Sequence, residues 1–133
     1  MTAPGGERIT VGCTHCHNAR NPVVVGDEIA RAAAAVRHAA LGGAAVLTGD
    51  LNAPPSHPAM AALTAAGWAG AEPGAGMGID RIVHRGMEVV EPARRMRPEE
   101  REVGVAWRGI ARRVRLSDHD PVEVTLRPTA SAS

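Results

Sequence analysis

An α/β fold is what this chain predicts, and three observations predict it. Short β-rich runs alternate with Ala-rich helical runs along the sequence. The apolar residues are almost wholly aliphatic, with two Trp and no Phe or Tyr. The acids, amides and histidines fall where β-rich runs begin or end, the edge at which α/β sheets bind ligands. At 133 residues the chain is at most one domain with a modest core.

Ile9 to Cys13 reads as the first strand, running into THCHN, and Val23 to Val25 as a brief β-rich run. DEIARAAAAVRHAALGG is the best helix: Asp27 can cap it, Gly42 and Gly43 can stop it, and Ile29, Ala33, Val36 and Ala40 share a face. Ala44 to Leu47 is a buried strand ending at Thr48-Gly49-Asp50-Leu51-Asn52. After Pro54-Pro55, Ser56 caps a second helix, HPAMAALTAAG, stopped by Gly67. A Gly-rich loop over 70–78 leads to a strand from Ile79 to Val83, which Met87 to Val90 continues or pairs with. Residues 91–116 are Arg-rich and carry no clear period, and VEVTL from Val122 to Leu126 alternates as a last strand. The domain thus spans 9–127, between a turn-rich N-terminus at 1–8 and a flexible tail at 128–133.

Composition excludes several classes. The formal net charge of +1 gives no global pull toward nucleic acid or an anionic membrane. No apolar run is long enough to span a bilayer, and MTAPGGERIT lacks the basic and apolar regions of a signal peptide, so cytoplasmic is the default location. Every basic residue is Arg, which looks like coding bias.

His15 follows the first strand, Asp50 and Asn52 the second, Asp80 opens the third, and Asp118-His119 precede the last. Carboxylates suit a hard cation, histidine donates to phosphate oxygens when an acid positions it, and Asp or Asn can orient water. Each has a plainer reading: TGDLN as a strand-to-helix turn, Asp118-His119 as an exposed turn, Asp80 as a strand-start cap.

Taken together, Thr14-His15, Gly49-Asp50-Leu51-Asn52, Ile79-Asp80-Arg81-Ile82 and Ser117-Asp118-His119-Asp120-Pro121-Val122 resemble four successive motifs of the endonuclease/exonuclease/phosphatase superfamily, the deoxyribonuclease I-like proteins. Its members include apurinic endonucleases, inositol polyphosphate 5-phosphatases and sphingomyelinases. The resemblance implies a metal-dependent hydrolase of phosphoester bonds: a nuclease, phosphodiesterase or phosphatase using in-line attack by activated water. His119 would contact the scissile phosphate, with Asp80 setting its tautomer. Asp50 would deprotonate the water, Asn52 would hold it or a phosphate oxygen, and His15 would be a second phosphate-contacting imidazole. Asp118 would bind or sit beside Mg²⁺ or Mn²⁺.

The family opens with a strand bearing Asn and then a Glu that is its principal metal ligand; here Glu7 is the one acid before His15. The resemblance therefore covers the C-terminal half of a four-layer α/β/β/α sandwich: one mixed β-sheet with helices on one face and an exposed apolar face opposite. It implies a missing N-terminal half or a complementary chain, and little activity from the 133 residues alone. A catalytically inactive fragment, or a subunit needing such a chain, is the competing reading.

Cys13-Thr-His-Cys16-His17 also spells C-x-x-C-H, a haem-attachment pattern. Against it stand the β-like context, the absence of an export signal and the scarcity of aromatics. Zinc would need a second ligand pair, and a redox dithiol would be expected at a helix N-terminus. His38 and His57 read as surface helix residues, while His17 and His84 stay unassigned. The arginines from Arg94 to Arg115, broken by Glu99, Glu100 and Glu102, read as a solvated helix face, with a loop contacting an anionic substrate as the alternative.

Overall fold

The computed structural model describes residues 1–3, 6–71, 78–115 and 117–129. Its centre is a three-stranded mixed sheet in the order β1-β2-β3. β1 (Ile9–His15) runs parallel to β2 (Ala44–Asp50), with Ile9 opposite Ala44 and His15 opposite Asp50. β3 (Asp80–Arg85) returns antiparallel on the other side of β2, with Asp80 opposite Asp50. The fold is α/β, as predicted, and both helices pack on one face of this sheet.

α1 (Pro22–Ala40) connects the parallel pair. It starts before Asp27, and Val23 to Val25 form its first turn rather than a β run. Local capping explains the difference: the Asn21 side chain accepts from the Val23 amide at 3.0 Å, and Pro22 supplies a φ suited to a helix start. Val25 then joins Ile29, Ala33 and Val36 on the buried stripe. Leu41, left-handed at φ 51°, closes the helix just ahead of Gly42 at φ 85°. α2 (Pro58–Ala65) is capped by His57, whose Nδ1 accepts from the Ala59 amide at 3.1 Å, and not by Ser56.

The core is aliphatic apart from Trp68. Val25, Ile29, Ala33 and Val36 of α1 meet Ala59, Met60 and Leu63 of α2 over Ala45, Leu47 and Val83 of the sheet. Each large aliphatic side chain buried here contributes about 1.5–3 kcal/mol. Gly12 lets α1 sit close, since a Cβ there would lie 2.2 Å from Val36 Cγ2. On the opposite face Val11 is 45% exposed and Cys13 is exposed, while Val46 and His84 are buried. On that face of the three-stranded sheet the large apolar side chain left exposed is Val11 of the edge strand β1.

The Arg-rich segment contains strands where a helix face was expected. β4 (Met87–Arg95) pairs antiparallel with β7 (Val122–Pro128), one residue beyond the predicted end of the domain. The ladder slips between Val89 and Arg94, around Pro92, which has no amide hydrogen to donate. After a single 3-10 turn at Pro98–Glu100, β5 (Glu102–Trp107) and β6 (Ile110–Arg115) form a separate hairpin. Arg108 and Gly109, at φ 51° and 76°, make its two-residue turn. Part of the Gly-rich loop, 72–77, and residues 130–133 of the tail lie outside the described residues.

Candidate active site

Sheet register puts three of the singled-out residues in one row. His15 ends β1, Asp50 ends β2 and Asp80 begins β3, and each is the lateral partner of the next. They share the face opposite the helices, because side chains paired across a ladder point the same way.

Asp50 is held there by its own backbone surroundings. Gly49 precedes it at φ 133°, where a Cβ would come 1.9 Å from the Thr14 carbonyl oxygen, so only glycine allows β1 and β2 this close. The Asp50 carbonyl accepts from the Cys16 amide at 2.8 Å. Its Oδ1 accepts from the Asn52 amide at 2.8 Å, a bond that closes a tight turn with Asn52 left-handed at φ 48°. Oδ2 remains turned toward two imidazoles: His15 Nε2 at 3.6 Å and His119 Nδ1 at 3.8 Å.

Asn52 itself serves the scaffold in this arrangement. Its Nδ2 donates to the Cys16 carbonyl at 2.6 Å, tying the end of β2 to the end of β1. The turn keeps the local geometry of the plainer reading while placing Asp50 at the site.

His119 arrives from the far end of the chain. The Ser117 hydroxyl accepts from the His119 amide at 3.1 Å and shapes the turn. The ring Nδ1 then stands 3.0 Å from both Asp80 oxygens. An ionised carboxylate only accepts, so Nδ1 carries the proton and donates, and Nε2 lies outside this pair. This hydrogen bond, then the charges of Asp80, Asp50 and Asp118, hold the His119 pKa above its ordinary value. Asp118 is exposed on the same turn, and its carbonyl accepts from Arg115 at 3.1 Å.

A cleft of about 270 Å³ opens beside Asp80 and His119, lined also by Thr48, Gly49, Arg81, Ser117 and Asp120. Sequence reasoning gave no role to Arg81 or Asp120. Arg81 is 1% exposed. An arginine directly after a singled-out acid, on the inward side of a strand, was the available signal. Among the described residues, Asp50, Asp80 and His119 form a group able to hold a metal, with ligand atoms all within 4.8 Å of one another. Of the residues singled out, His15, Asp50, Asp80 and His119 are brought together; Asn52 braces them and the Asp118 side chain is exposed on the turn before His119.

The C-x-x-C-H segment is divided between surface and core. Cys13 is exposed, whereas Cys16 is 2% exposed and packs in the aliphatic cluster, where burial pushes its thiol pKa up. His17 Nδ1 pairs with Glu28 at 2.6 Å. A thioether at Cys16 would require opening that core.

The family model described as "Endonuclease/Exonuclease/phosphatase family" matches residues 2–119, and the chain belongs to this family. Neither a curated protein nor a solved structure matches significantly. Membership implies hydrolysis of phosphoester bonds, in a family that is generally metal-dependent.

Proposed function

We propose that this family member hydrolyses phosphoester bonds with a divalent metal, by in-line attack of a water that Asp50 activates. The observation that carries the reading is the position of Asp50 Oδ2, between the imidazoles of His15 and His119 and 14% exposed as a side chain. A water within reach of that oxygen gives up its proton to it as phosphorus is attacked. Nε2 of His119, fixed by the bond from Nδ1 to Asp80, binds a phosphoryl oxygen, and the neighbouring Asp80 favours the charged form of the ring where charge develops. His15, exposed beside Asp50, contacts the phosphate from the other side.

The carboxylates of Asp50 and Asp80 offer hard oxygens that fit Mg²⁺ or Mn²⁺, and His119 is left to the phosphate rather than to the metal. Bound there, the ion would neutralise charge on the phosphoryl oxygens. The expected result is metal-dependent hydrolysis of bis(p-nitrophenyl) phosphate, reduced at least ~100-fold by His119→Ala or by Asp50→Ala, as loss of an acid–base group predicts. Undiminished turnover in both variants would sink the assignment.

One observation favours a second reading, a subunit whose acid comes from a complementary chain. Glu7 lies before the far end of β1, roughly 20 Å or more from His15 at the rise of an extended strand. It cannot serve as the metal ligand that the family places ahead of this histidine. In that case turnover of the chain by itself is weak and rises when a segment bearing that acid is added.

A further inference from the structure

Three arginines from separate elements converge on the Asp120 carboxylate. Arg95 ends β4, Arg101 precedes β5 and Arg115 ends β6. Arg95 Nη1 lies 3.6 Å from Oδ2, Arg115 Nη2 lies 2.8 Å from Oδ1, and Arg101 Nη1 also bonds Oδ1. Elsewhere on the arm formed by β4–β7 and the β5–β6 hairpin, Arg94 pairs with Glu100 and Glu123, Arg97 with Glu99 and Glu100, and Arg113 with Glu102. Among the described residues, Asp120 is the acid that three arginines share.

A guanidinium carries five N–H donors, so one carboxylate cannot use those of three. Among the described residues Nε of Arg101 is buried with no hydrogen-bond partner, while the Arg95 and Arg115 side chains are 49% and 46% exposed. Guanidinium forks match phosphate oxygens, and these three reach the cleft through Asp120, which follows His119 and lines that space.

We propose that Arg95, Arg101 and Arg115 hold a second phosphate of the substrate, next to the one being hydrolysed. The substrate is then a molecule with neighbouring phosphates, not an isolated monoester. The proposal rests on the reading of the Asp50–Asp80–His119 cleft as a phosphate site. Neighbouring phosphates occur in a nucleic-acid strand and in small bisphosphates, and binding separates the two sources.

The test is equilibrium binding of three probes in the presence of chelator, where no turnover is required: a short thymidylate oligonucleotide, adenosine bisphosphate and adenosine monophosphate. Replacing both exposed arginines (Arg95→Gln with Arg115→Gln) weakens the two-phosphate probes at least ~tenfold, the scale of one charged hydrogen bond. The monophosphate Kd moves much less. For the oligonucleotide, the slope of log K against log salt becomes shallower by roughly 0.7 for each arginine removed. Lysine at the same two positions keeps that slope, which guards against a merely misfolded variant. Arginine dependence with the oligonucleotide alone identifies a strand as the source, and dependence with both probes admits small bisphosphates. Equal weakening of the monophosphate, or no weakening of either two-phosphate probe, overturns the proposal. Arginine-dependent binding without any metal-dependent turnover would instead retain this subsite and defeat the hydrolase reading.

Discussion

His119 Nδ1 stands 3.0 Å from each oxygen of Asp80, a contact that joins residues 39 apart in the chain. It couples the start of β3 to the turn before β7, and with it the central sheet to the arm. Because the pair raises the His119 pKa, its contribution to stability is full below the ordinary histidine value of about 6.5. That contribution fades as pH rises through the raised value, where the ring loses its charge. Asp80→Asn should move the His119 titration, followed by NMR, back down toward the ordinary value. The stability difference between wild type and His119→Ala should also shrink on going to alkaline pH. A His119 titration that Asp80→Asn leaves in place would count against the pairing.

Gly49 offers a test of how the sheet seats Asp50. Gly49→Ala forces a Cβ to 1.9 Å from the Thr14 carbonyl oxygen at φ 133°. Backbone strain of roughly 1–3 kcal/mol adds to an overpacking cost of about the same size. Thermal unfolding should drop by several degrees, and the row His15–Asp50–Asp80 should be disturbed. An Ala variant as stable as wild type would show that β1 and β2 do not approach this closely.

Thiol chemistry distinguishes the two cysteines. In the native protein Cys13 should react with a thiol reagent, and Cys16, 2% exposed with its pKa pushed up by burial, should not. Denaturation should release the second thiol. Prompt labelling of both in the folded chain would remove Cys16 from the core.

Glu100 reports on the arm. Bonds from Arg94 and from the Arg97 amide lower its pKa from 4.5 to about 2. A carboxylate shifted down stabilises the fold above its unfolded pKa and loses that effect as pH falls toward the folded value. The contact should therefore persist at neutral pH and release between about 4.5 and about 2. A Glu100 carboxyl titrating near 4.5 in the folded chain would contradict the contact.

Legibility of the fold varied with how local its determinants were. α1 was visible because Ile29, Ala33 and Val36 repeat at helical spacing. Its start was misread because Val23 to Val25 favour strands by propensity, and a cap at Asn21 together with core burial of Val25 overrides that preference. The hairpin of β5 and β6 was hidden because arginines and glutamates mask its period, leaving only Arg108-Gly109 as a turn signal. His15, Asp50, Asp80 and His119 could be picked out since each follows or opens a strand-like run. Asp120 could not be, because its contacts are with side chains from β4, the start of β5 and β6 that the sequence spreads over 95–115.

Sequence alone determined the α/β character, the aliphatic core and the membership of the family, since these rest on local periodicity, residue type and motif order. Tertiary structure decided which residues share a site. Register across three strands set His15, Asp50 and Asp80 in one row, and docking of the arm brought His119 onto Asp80. Such long-range pairing depends on hydrogen-bonded ladders and packed side chains, which no local pattern encodes.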